Sequence, residues 1–238
     1  MSDRRAVRPG HTATSRESVR AGLTLLRLHM PDEEPHLDDL WDLLSMEERD
    51  RARRFVRRDD AARYVVGHAR LRQWLGGRLH IAPRCLRFIE NKHGKPMLDA
   101  LPSPPLFNLS HSGDWVLIAI DENNAVGVDV EAIRPNMAEI DDFRGVLAPE
   151  EQDWLDRLPA DERAPAFART WVRKEAYIKA IGEGMNRDLK LIAIVDGSDR
   201  NPALLYDRNP TPTHGAWRLV DVRVDGSHAA CVAHHDDV

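Results

Sequence analysis

Cysteine is scarce in this chain: Cys85 and Cys231 are the only two among 238 residues. Two thiols make neither a disulfide framework nor a zinc site by themselves. Both lie among apolar neighbours, which predicts buried structural thiols in a reducing compartment. Long apolar runs are missing too, so no segment reads as a bilayer span. Positive charge is not in excess: the formal net charge is -5, which gives no whole-chain footprint for nucleic acid. The first 20 residues are polar, rich in Arg, Ser and Thr, and lack the apolar core of a secretory signal. A disordered tail over residues 1–20 and a cytoplasmic location are the expectations. Three motifs are absent as well. There is no P-loop, no Gly-x-Gly-x-x-Gly after a strand and no serine-nucleophile elbow, so ordinary nucleotide folds and serine hydrolases have no support.

What remains is a globular composition, 42% hydrophobic and 31% charged, in a chain long enough for one large domain or two of about 100 residues. Apolar patterning predicts strands over 22–30, 86–90, 106–110, 115–121 and 126–131. The closing strands are expected at 189–195, 217–224 and 228–234. Helices are predicted at 36–44, 46–55 and 59–79, at a start on Pro149, and over 164–181. Ser45 and Glu48 have capping-box spacing, and Gly182 suits the residue just past a helix end. Residues 91–96 read as a turn and 197–212 as a loop. The order strand, helices, strands occurs twice, with a polar turn at Asp121–Asn124 between. This predicts two α+β halves, 21–122 and 123–238, with a site in the cleft that separates them.

The centre of the reading is Trp171-Val172-Arg173-Lys174-Glu175-Ala176-Tyr177-Ile178-Lys179-Ala180. Glu175 and Lys179 are four apart and share a helical face, which alone would describe a solvated ion pair. Asp129 and Glu131, at i and i+2 on a strand, leave one face while Val126, Val128 and Val130 take the other. Adjacent carboxylates repel unless a cation lies between them. The ordinary alternative is an acidic edge that discourages strand pairing. With Glu175 as a third oxygen ligand the set suits Mg²⁺, and Lys179 one turn on suits a phosphate. His111 lies in a turn of small residues that would let a ligand approach, although taken alone it reads first as a turn histidine bonded to local backbone. The arginines from Arg49 to Arg63 describe either a solvated face or a phosphate surface. Lys95-Pro96 would be a surface turn and Trp171 core.

Four stretches occur in a familiar order: Gly94-Lys95-Pro96, Phe107-Asn108-Leu109-Ser110-His111-Ser112, Gly127-Val128-Asp129-Val130-Glu131, and Trp171 to Lys179. In these the chain resembles the large, two-half 4′-phosphopantetheinyl transferases of the surfactin-synthetase-activating type. The resemblance runs from about Gly22 to the end, with a weaker match over Ser45 to Arg63. It implies two pseudo-symmetric α+β halves, each a small antiparallel sheet packed with helices. It implies transfer of 4′-phosphopantetheine from coenzyme A to a serine of an apo carrier protein of peptide, polyketide or fatty-acid synthesis. Adenosine 3′,5′-bisphosphate is released.

The site residues follow from the same resemblance. Asp129, Glu131 and Glu175 would hold Mg²⁺, or Mn²⁺ in its place. His111 and Lys179 would bind the phosphates of coenzyme A, and Lys95, Pro96 and Ser110 would line its adenine and ribose end. Arg51 and Arg63, with Arg54 as a helper, would meet the 3′-phosphate. Glu151 or Glu175 would take the proton. Glu48 departs from the pattern, standing where a relative has a phosphate-binding lysine, and Glu150 competes with Glu151. A monomer is expected, with no nucleic acid or membrane partner. The competing readings are another Mg²⁺-dependent pyrophosphate-cleaving enzyme and a non-catalytic coenzyme A- or carrier-binding module.

Overall fold

The computed structural model describes residues 14–99, 103–138, 145–183, 187–196, 202–209 and 215–236. In chain order the first half runs Ser15–Arg20 (β1), Leu23–His29 (β2), Met30–Glu33 (α1), Leu37–Trp41 (α2), Met46–Arg53 (α3), Arg58–Leu79 (α4), Phe88–Glu90 (β3), Pro96–Leu98 (β4), Leu106–Ser112 (β5) and Trp115–Asp121 (β6). The second runs Val126–Ala132 (β7), Pro149–Asp156 (α5), Ala160–Ile181 (α6), Ile192–Asp196 (β8), Pro202–Asp207 (β9), Ala216–Asp221 (β10) and His228–Asp236 (β11). Two antiparallel sheets result, ordered β1-β2-β6-β5 and β10-β11-β7, with two small hairpins, β3-β4 and β8-β9.

Strand alternation explains how these parts stack. On β6, Val116, Ile118 and Ile120 face α4 and its neighbours, while Trp115, Leu117 and Ala119 face the second half. On β7, Val126, Val128 and Val130 meet the Trp115 row, so the two sheets share an apolar cluster. The other faces of β7 and β11 pack on α6, where Phe167, Val172, Ala176 and Ile178 are buried with Cys231 and Ala233. Gly127 sets the spacing of β7 and α6. A β-carbon there would lie 2.1 Å from the Ala176 carbonyl oxygen and 2.4 Å from the Ala180 nitrogen.

The capping box at Ser45 and Glu48 forms in both directions, and Gly182 ends α6 with φ +77. Several expectations need correction. Residues 15–20, read as tail, form β1: alternation there is weak, and the strand is stabilised by pairing with β2. The rest of that tail, residues 1–13, lies outside the described residues. Pro202–Asp207, read as loop, pairs with β8, and Pro96, the last residue of the expected 91–96 turn, begins β4, which pairs with β3. Helix α6 begins at Ala160, not near 164, with Pro165 inside it and Asp161 and Glu162 in its first turn. Cys231 is buried as expected, but Cys85 is exposed, because it sits on a short 3-10 turn at a cavity rim. No helix among the described residues is long and apolar enough to cross a membrane.

Candidate active site between the two halves

Strands β5 and β7 are the facing edges of the two sheets, and side chains join them. Asn108 Oδ1 accepts from the Val128 N–H (2.9 Å), Ser110 Oγ from Val130 (3.4 Å) and Ser112 Oγ from Ala132 (3.0 Å). Alternate residues of one strand thus satisfy alternate amides of the other, which a direct ladder would have paired. This seam places Ser110 beside Asp129, and the site grows from that pair.

Ser110 Oγ donates to Asp129 Oδ1 at 2.6 Å, and Lys179 Nζ donates to the same oxygen at 2.6 Å. Lys179 also approaches Ser110 Oγ at 3.3 Å. A pocket of about 350 Å³ opens here, walled by Ser110, His111, Asp129, Glu131, Glu175 and Lys179, with Trp171 at its edge. Trp171, Glu175 and Lys179 follow at i, i+4 and i+8, so one stripe of α6 faces the pocket. Burial pushes the Glu175 carboxyl above its ordinary pKa, and the Asp129 charge adds to this against the pull of Lys179. Glu131 Oε1 accepts from Arg134 at 2.9 Å.

His111 and Leu109 also line a second, larger cavity of about 1090 Å³ in the first half. Its walls include Arg51, Tyr64, His68, Phe88, Pro96 and Arg63. Tyr64 stacks on His68 with ring centroids 4.0 Å apart, and the Arg51 guanidinium lies 5.7 Å from the Tyr64 ring centre. Arg63 donates to the Gly113 carbonyl at 3.0 Å, which fixes the turn after β5; His111, expected in that turn, instead lies on β5, paired with Val116 of β6. The surrounding protein lowers the His111 pKa, and the cations of Arg63 and Lys179 lower it further, although the residue reaches solvent at the mouth. A neutral imidazole therefore stands where the two cavities meet.

The structure gathers Ser110, His111, Asp129, Glu131, Glu175 and Lys179 at one pocket, with Arg51, Arg63 and Pro96 in the cavity beside it. Four expected placements change. Ser110, expected at the adenine and ribose end, gives its one hydrogen and its acceptor capacity to Asp129, Lys179 and Val130. Lys95 turns its ammonium from the cavity to the carbonyls of Val126, Lys179 and Ala180. Arg54 does not line the cavity, and its Nε donates to the Asp50 carbonyl. Glu151 is outside both cavities, 3% exposed, and accepts from the amides of Ala148 and Ile194 and from Lys174 at 2.5 Å. It organises the α5 start and the β8 backbone. Glu150 is bonded to Tyr206 at the surface. Sequence reasoning passed over Tyr64 and His68, whose only signal was their i, i+4 spacing beside the arginines.

The three carboxylates are oxygen donors of the kind a hard divalent cation takes. Among the described residues, however, no three His, Cys, Asp or Glu side chains are drawn together closely enough to hold a metal ion. Lys179 takes Asp129 and Arg134 takes Glu131, so cations already balance this cluster.

A family model described as the 4′-phosphopantetheinyl transferase superfamily matches residues 125–233, and one described as 4′-phosphopantetheinyl transferase, N-terminal, matches 31–123. The chain is 34% identical over 211 residues to the 4′-phosphopantetheinyl transferase HetI of Nostoc sp., covering 88% of this chain and 86% of that protein. It is 30% identical over 193 residues to the 4′-phosphopantetheinyl transferase Sfp of Bacillus subtilis, covering 81% and 84%.

Proposed function

The chain belongs to the 4′-phosphopantetheinyl transferase family, and from that premise we propose how its joined cavities perform the transfer. The protein is an enzyme that moves 4′-phosphopantetheine from coenzyme A to a serine of an apo carrier protein. The observation that carries the reading is His111, which lines both an Arg- and aromatic-walled cavity and a pocket of three carboxylates and a lysine. The larger cavity takes the adenosine 3′,5′-bisphosphate portion. Arg51 and Arg63 supply charge for its 3′-phosphate, and Tyr64 and Phe88 supply flat surface for the base.

In the reaction the serine oxygen bonds to the phosphorus that carries the pantetheine arm. The bond from that phosphorus to the bridging oxygen breaks, and adenosine 3′,5′-bisphosphate departs with the electron pair. Lys179 provides a point charge for the pyrophosphate, and neutral His111 donates a hydrogen bond at the neck. Asp129, Glu131 and Glu175 would hold Mg²⁺ or Mn²⁺ only once Lys179 releases Asp129 and Arg134 releases Glu131; when bound, the metal would supply charge neutralisation to the pyrophosphate. Glu175, with its raised proton affinity, is the pocket carboxylate suited to take the serine proton. Glu151 has both oxygens engaged elsewhere.

Incubation with coenzyme A, Mg²⁺ and a panel of apo carriers should add one phosphopantetheine mass to at least one carrier. A chelator should remove the activity. Unmodified carriers throughout would sink the reading, and release of adenosine 3′,5′-bisphosphate without a carrier would favour simple pyrophosphate cleavage.

A further inference from the structure

The loop between β3 and β4 touches two things at once. Gly94 and Pro96 line the large cavity, while Lys95 between them reaches away into the second half. Its Nζ donates to Lys179 O at 2.7 Å, Val126 O at 3.0 Å and Ala180 O at 3.2 Å. Two of these are last-turn carbonyls of α6, which have no partner within the helix. The ammonium has three donors and no acceptor, so three carbonyls use it fully. Its charge also sits at the negative end of the helix. Asn91, in the same loop, donates through Nδ2 to Gly182 O at 3.0 Å and accepts at Oδ1 from the amides of His93 and Lys95. The loop is thus a closed clasp around the helix end. Burial alone pushes the Lys95 ammonium down to about 8, and a charge kept in such surroundings is held by its partners.

The main chain that Lys95 grips belongs to Lys179, whose side chain reaches Asp129 in the small pocket. We propose that Lys95 is a positioning residue that ties the wall of the nucleotide cavity to the backbone of Lys179. Filling the large cavity steadies Gly94 and Pro96, and through Lys95 it steadies the last turn of α6. Lys95 therefore acts on the turnover step, through Lys179, and not by contact with the ligand. The kinetic part rests on the transferase reading; the clasp itself does not.

The test uses the full chain with Lys95→Met, which keeps the stem and removes the donors, and Lys95→Arg, which keeps charge and donors. Without ligand, Lys95→Met should speed amide hydrogen exchange in the last turn of α6 relative to wild type and leave α4 unchanged. Adding adenosine 3′,5′-bisphosphate should slow exchange of that turn in wild type and not in Lys95→Met, with residues 88–98 protected in both. In transfer assays Lys95→Met should lower kcat about tenfold or more while KM for coenzyme A stays within about threefold, and Lys95→Arg should recover part of kcat. Equal exchange of the last turn in wild type and Lys95→Met would overturn the clasp. A raised KM with unchanged kcat would make Lys95 a ligand contact instead. Failure of the nucleotide to protect residues 88–98 in wild type would count against the transferase reading, while the ligand-free comparison still decides the clasp.

Discussion

Glu48 shows how one side chain can look wrong in sequence and be well placed in space. It stands in the arginine-rich stretch, where an extra acid should repel an anionic ligand. Burial alone would raise its pKa, but hydrogen bonds from His68, Arg72 and the Ser45 amide outweigh this and bring it to about 2. Its charge is spent on Arg72, which also donates to the carbonyls of Pro83 and Leu86. Because the folded value lies below the unfolded one, Glu48 stabilises the fold above about pH 4.5, and that contribution is lost as pH falls from there towards about 2. Glu48→Gln should therefore cost on the order of 3 kcal/mol at pH 7 and roughly half that at pH 3, read from urea unfolding at both pH values. The arginines allow a paired test. Arg51 lines the cavity and Arg54 does not. Arg51→Ala should raise KM for coenzyme A by roughly tenfold or more, the worth of one charge-assisted phosphate bond. Arg54→Ala should leave it near wild type; equal effects would undo the placement.

At the scale of elements, the β5–β7 seam decides where the site opens. A main-chain ladder would bring the strands together at about 4.8 Å and leave no room for a pocket. Side-chain bridges from Asn108, Ser110 and Ser112 keep the β7 amides satisfied. Ser112→Ala leaves the Ala132 amide without its partner and should cost about 1–3 kcal/mol, measured as a lowered denaturant midpoint at unchanged m-value. Gly127→Ala drives a methyl into the α6 backbone; it should destabilise by several kcal/mol and displace Glu175 and Lys179 together. Elements whose cause is local were legible before any coordinates. The capping box at Ser45, the glycine after α6 and the valine row of β7 all announce themselves within a few residues. For Glu175 and Lys179 the i, i+4 spacing put both on one helix face, and the structure turns that face to the pocket that Asp129 lines. What was not legible depends on distant partners. Nothing near Lys95 says that its ammonium finds carbonyls beyond residue 120, and nothing near Glu151 says that Lys174 and the Ile194 amide take both its oxygens. Strands β1 and β9 exist through β2 and β8, not through their own alternation.

For the whole molecule, the two halves are distinct in sequence order and joined in energy. Leu23, Leu25, Trp115 and Leu117 from the first half share one buried cluster with Val128, Val130, Ala230 and Val232 from the second. Polar ties surround it. Arg20 reaches Asp121 at 2.6 Å and His234 at 3.3 Å, and the Trp115 indole donates to Asp225 at 2.7 Å. A half produced alone would expose one face of its sheet to water, at roughly 25 cal/mol for each Å² of apolar area uncovered. It would also leave the buried Trp115 indole without Asp225. Cleavage at the polar turn Glu122–Asn124 tests this, since the turn is a natural place to break the chain. Fragments 1–122 and 123–238 made separately should show non-cooperative thermal melts and bind an apolar dye. Mixed or co-expressed, they should associate, regain one cooperative transition and recover transfer activity, because the small pocket and the Lys95 clasp need residues from each half. Two fragments that each melt cooperatively alone would mean that the shared cluster is an interface between independent domains. In that case Arg20→Ala and Trp115→Phe should loosen the pair without lowering the melting temperature of either part.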